Sequence, residues 1–149
     1  MISHMISKDD PLKNLYVDKR EVDRLKLFLC LRKYLRIDKQ TGDPIFLEDY
    51  EELDDKERLI VYLLFRRAIS ALGHLKKEEI GIGIRDLAKS MSMDYDYTRE
   101  LLGEIDCIVN DRKRGRYFIP SENLEDALKE ISHEDDIYFT TDKYTKRIK

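Results

Sequence analysis

The chain of 149 residues is long enough for one ordinary domain, or for a small domain with a substantial extension. Hydrophobic residues make up 42%, which excludes global disorder, while charged residues reach 40%, well above the usual quarter. The formal net charge of -3 excludes a bulk polycation that coats nucleic acid, so a nucleic-acid role has to come from a local patch.

Few thermolabile amides (Gln40 and three Asn) beside abundant Glu, Lys and Arg is the balance expected of a thermophile. Cys30 and Cys107 each sit in an apolar run and read as buried thiols of a reducing cytosol. No run of about 18 apolar residues occurs, so neither a membrane span nor a secretory leader is expected, and the expected location is the cytoplasm. The opening MISHMIS reads as a cloning remnant with Met5 as the natural start.

Residues 1–17 form a polar, flexible lead-in that contains Pro11. Asp18, with Glu21 three positions on, predicts a reciprocally capped helix running to about Ile37. Its apolar residues, among them Val22, Leu25, Phe28, Leu31 and Leu35, cover more than one face. Such a helix packs on several neighbours or joins a dimer interface. Residues 39–44 are a turn broken by Gly42 and Pro44, around which 35–38 and 45–47 can pair as a hairpin. Residues 48–57 hold seven carboxylates, read as a solvated linker in which Asp54 and Glu57 cap the next helix. These segments make an extension over 18–55.

A domain is expected over 56–131. The helix at 56–75 is apolar nearly all round and must be buried on most sides. GIGI at 81–84 is expected as a short strand; as a phosphate loop it lacks the third glycine and the lysine-serine pair. Ile84, Leu87, Ala88 and Met91 recur at helical spacing. Residues 92–94 then form a turn, with Met93 as an apolar plug and Asp94 as the cap of a second helix over 95–105. Thr98, Leu101 or Leu102, and Ile105 are expected to face inward. Two short strand-like runs follow at 107–110 and 116–119, joined by a basic loop. Ser121 is expected to cap a final helix to about Ile131, and residues 132–149 form a basic tail with a strand-like run at 137–140.

A helix, short turn, second helix and hairpin in this order resembles the winged helix-turn-helix proteins of bacteria and archaea, with IRDLAKSMSM as the first helix and turn. The turn carries Ser92 where that family usually has glycine, and the link from Ile105 to Ile108 is shorter than usual. The resemblance implies a mainly α (α+β) fold: a winged helix-turn-helix with an N-terminal helical extension and a small wing sheet. It also implies duplex DNA as partner, a homodimer, and a role as transcriptional regulator or chromosome-associated factor.

Charge divides the expected site. Four of the five residues 112–116 are basic, so Arg112, Lys113, Arg114 and Arg116 would grip phosphates. The second helix would offer Tyr95, Tyr97 and Arg99 to bases, yet residues 94–106 hold five acids and one base. An interaction module that keeps the winged fold without DNA is the rival expectation. His4, His74 and His133 are not spaced with the cysteines as zinc ligands, and no enzyme motif occurs. No metal, cofactor, small-molecule substrate or catalytic residue is expected.

Overall fold

Asp18 leaves the helical region, and its carboxylate accepts from the Arg20 N–H at 2.9 Å, which starts helix α1 (Lys19–Leu31). The computed structural model describes residues 10–131. His4, His133, the residues read as a cloning remnant, the run at 137–140 and the rest of 132–149 lie outside the described residues. The cap on α1 rests on Asp18; no reciprocal contact from Glu21 is present among the described residues.

Helix α1 stops at Leu31, short of the expected Ile37, because the next backbone groups pair elsewhere. Strands β1 (Leu35–Ile37) and β2 (Pro44–Phe46) form an antiparallel hairpin with Leu35 opposite Phe46 and Ile37 opposite Pro44. Asp38 organises its turn. The Thr41 and Gln40 N–H groups donate to its carboxylate at 3.1 and 2.8 Å, which holds that carboxyl below its usual range. A one-turn helix α2 (Glu48–Glu51) follows. In it, buried Tyr50 stacks on Phe46 with ring centroids 4.0 Å apart, and burial pushes its hydroxyl up to about 12.

Helix α3 (Asp55–Ala71) is the centre of the molecule. The expected cap is there in full: the Glu57 N–H donates to the Asp54 carboxylate at 2.8 Å, and the Asp54 N–H to the Glu57 carboxylate at 3.1 Å. Two of the acids in 48–57 thus have a structural task, and no metal-binding group of three or more ligands occurs among the described residues. Leu59, Ile60, Val61, Leu63 and Leu64 are essentially sealed from solvent. The helix ends before the expected residue 75, because Gly73 takes a left-handed φ of +92°. The His74 N–H then donates to Ile69 O at 2.8 Å and the Gly73 N–H to Ser70 O at 3.1 Å, which satisfies the last turn's carbonyls.

Strand β3 (Ile82–Gly83) leads into α4 (Ile84–Met91) and α5 (Tyr95–Glu104). Leu87, Thr98, Leu101, Leu102 and Ile105 all point inward, and Met93 packs on the core edge as its plug position required. Strands β4 (Val109–Asp111) and β5 (Arg116–Phe118) complete a three-stranded antiparallel sheet of order β3-β5-β4. Helix α6 (Leu124–Ile131) closes the fold by packing on α1 and α3. Ser121 does not cap α6 as expected. It lies in a 3-10 turn, and its hydroxyl accepts from Arg67 Nη2 at 2.6 Å. Arg67 also donates to Ile119 O at 3.2 Å and so ties α3 to the chain between β5 and α6.

The result is a mainly helical α+β fold with two small antiparallel sheets. One core runs from Leu27 of α1 to Ile131 of α6, so the N-terminal extension shares it. Cys30 and Cys107 are both inside. Burial pushes both thiols up, Cys107 to about 11, which leaves them protonated at neutral pH. Among the described residues no helix is long and apolar enough to cross a membrane.

The turn between α4 and α5 carries a testable strain. Ser92 has φ +55° and ψ +43° and is the only non-glycine residue with positive φ among the described residues. The Met93 N–H donates to Ala88 O at 2.9 Å and the Ser92 N–H to Lys89 O at 3.2 Å, the same closure that Gly73 gives α3. A side chain in this region costs about 1–2 kcal/mol, part of which glycine's larger unfolded-state entropy takes back. Ser92→Gly is therefore expected to raise stability by about 0.5–1 kcal/mol, read as a higher urea midpoint at unchanged slope.

Candidate nucleic-acid interface

Asp111 shapes the hairpin tip. Its carbonyl accepts from the Arg114 N–H at 3.1 Å and the Gly115 N–H at 2.7 Å, and its carboxylate accepts from the Lys113 N–H at 3.1 Å. Gly115, at φ +63°, lets the chain re-enter β5. The Asp111 carboxylate is engaged by the Lys113 N–H, and the tip's cationic side chains do not pair with it. Arg112, Lys113 and Arg114 are all exposed. Among the described residues none of them forms an ion pair.

Arg116 sits one step back on β5, half-buried, opposite Asp111 on one side and Gly83 on the other. Gly81 makes room for it: a Cβ at residue 81 would meet the Arg116 Cβ at 3.0 Å. Arg85, exposed in the first turn of α4, follows directly after β3. The sheet thus carries three exposed cations at its tip and a fourth on its surface.

Helix α5 is placed differently. Asp94 caps it, its carboxylate accepting from the Asp96 and Tyr97 N–H groups at 3.1 and 3.3 Å. The Tyr97 hydroxyl donates to the Asp55 carboxylate at 2.6 Å, and this bond holds the phenol's proton and raises its pKa. Two turns on, Glu104 pairs with Lys56 at 2.7 Å. Both ties run to the first turn of α3, so Tyr97 and Glu104 clamp α5 onto the central helix. All three expected base-facing residues, Tyr95, Tyr97 and Arg99, are exposed, although the Tyr97 hydroxyl already has a partner in Asp55. The outer stripe is then Tyr95, Asp96, Arg99, Glu100 and Gly103, with two carboxylates against one guanidinium.

Set against protein-family models, curated proteins and solved structures, the chain matches none.

The site's physical description is therefore its own. A basic tip whose backbone is fixed by Asp111 is suited to phosphate oxygens, which accept from guanidinium and ammonium donors. Helix α5 offers one guanidinium and one phenol between carboxylates that repel the same phosphates. Sequence reasoning missed Asp111 as the organiser, although an Asx residue four positions before a glycine is a readable turn signal. It also missed the Tyr97–Asp55 and Glu104–Lys56 contacts. Those span 42 and 48 residues and leave no local pattern.

Proposed function

We propose that residues 56–131 form a winged helix-turn-helix domain. On this reading the protein binds duplex DNA wing first, as a cytoplasmic transcriptional regulator or chromosome-associated factor that works as a homodimer. The observation that carries this reading is the basic hairpin tip. Arg112, Lys113 and Arg114 are exposed on a turn that Asp111 and Gly115 fix, beside two packed helices in the order the fold requires. The contact is mainly to the phosphate backbone, so affinity exceeds sequence discrimination. Arg116 supports the tip, and Tyr95 and Arg99 approach the bases.

About 4–6 phosphate contacts per protomer give a log–log slope of affinity against salt of roughly -4 to -5. Fluorescence anisotropy with a labelled duplex of arbitrary sequence measures this slope. Absence of binding at low salt removes the proposal.

One observation favours a second reading, a winged module that binds protein instead of DNA. The outer stripe of α5 is net acidic, and Tyr97 and Glu104 are engaged with α3. An acidic face of that kind suits a basic protein partner better than a phosphate backbone.

A further inference from the structure

The first described residues form an exposed arm. A 3-10 turn (Pro11–Leu15) held by Asp10 precedes extended backbone at Tyr16, and no residue of the turn is buried. Leu12, Leu15, Tyr16 and Val17 are 70–80% exposed, four large apolar side chains in six positions. Monomers do not normally leave such a run in water.

The same chain exposes a second apolar surface. The outer face of α1 exposes Leu25 and Phe28 by about half, and α3 exposes Leu72 at its end to the same extent. Together with Leu128 of α6 they line an open groove of about 960 Å³. Its walls are α1, the turn and strand β1 that follow it (residues 32–37), and the C-terminal end of α3, which packs on α1.

We infer that two copies of this chain exchange arms, the segment Pro11–Val17 of each lying in the α1–α3 groove of the other. Each surface then fills what the other leaves open. The reach fits: seven residues span at most about 23 Å, and the 13-residue α1 is about 20 Å long. The area fits as well. Seven exposed large side chains, with part of Leu128, present on the order of 800 Å² per protomer, what each partner contributes to a standard interface. A reciprocal exchange also closes on itself, so it yields a dimer and not a filament. The arm does not fill its own groove, since its side chains are the most exposed large apolar ones in the described chain. The exchange stands whether or not the wing meets DNA.

Sedimentation equilibrium on the full chain tests it. The unmodified chain is expected to be a dimer at micromolar concentration. The arm variant Leu15→Asp/Tyr16→Asp and the groove variant Phe28→Asp are each expected to dissociate roughly tenfold more readily or beyond. Leu72→Asp repeats the groove test on the other wall, and circular dichroism checks that each variant is folded. Mixing arm and groove variants is expected to restore part of the dimer, since the mixed pair keeps one intact arm in one intact groove. A monomeric unmodified chain overturns the inference. So does an arm variant as dimeric as the unmodified chain, which would place groove against groove. So does a monomer in which a cysteine placed at Phe28 resists thiol reagents, which would assign the groove to residues 132–149 of the same chain.

Discussion

On the proposed function, replacing Arg112 and Arg114 together by glutamate is expected to lower duplex affinity by more than sixtyfold per protomer at about 0.1 M salt. On B-DNA each neutralised phosphate releases about 0.9 of a counterion, so one contact is worth roughly eightfold at this salt and two roughly sixtyfold. The two carboxylates add repulsion to that loss. The effect is one of contact and not of folding. Both arginines are exposed, and the tip's shape comes from backbone N–H groups on Asp111 and from Gly115, which the substitutions leave in place. Thermal unfolding of the variant is expected within about 0.5 kcal/mol of the unmodified chain. A loss under about fivefold, with the fold intact, would move the contact away from the wing.

Leu87→Ala has the largest expected effect on stability, a loss of about 3 kcal/mol. Leu87 is 0% exposed and is the inward anchor of α4, the helix that β3 leads into and that holds the turn to α5. Removing its isobutyl group forfeits the transfer energy and leaves a cavity that packed neighbours do not collapse to fill. Against a total of roughly 5–15 kcal/mol for a domain this is a large share. Urea unfolding should show a lower midpoint at unchanged slope. A change below about 1 kcal/mol would mean that α4 is not packed as described.

Much of the fold was legible because its signals are local. Asp54 and Glu57 are three residues apart and cap α3 as their spacing predicts. Thr98, Ile105 and one of Leu101 and Leu102 follow from helical periodicity as the inward set, and both leucines prove to be buried with them. The glycine-poor turn at Ser92 was visible as a departure, and its left-handed backbone shows that the strain is tolerated there.

Other features were not legible, because the deciding partner is distant. The end of α1 depends on β1 pairing with β2, since Leu35 is apolar enough to continue a helix or to open a strand. Ser121 has the sequence of a cap, yet Arg67, 54 residues away, claims its hydroxyl. Tyr97 has the position of a base-reading residue, and Asp55 accepts the hydrogen bond from its hydroxyl. In the site itself, the basic character of the tip was plain from four cations in five residues. Its presentation depends on Asp111 accepting from three backbone N–H groups, which composition alone does not reveal.

These particulars favour the β4–β5 hairpin tip for the proposed contact, since Tyr97 and Glu104 of α5 are tied to α3. The salt dependence of duplex binding, compared between the unmodified chain and Arg112→Ala/Arg114→Ala, tests that placement most directly. Loss of two phosphate contacts per protomer is expected to make the log–log slope shallower by about 1.8 for each protomer that touches the duplex. An unchanged slope, or no binding by the unmodified chain at low salt, would contradict it.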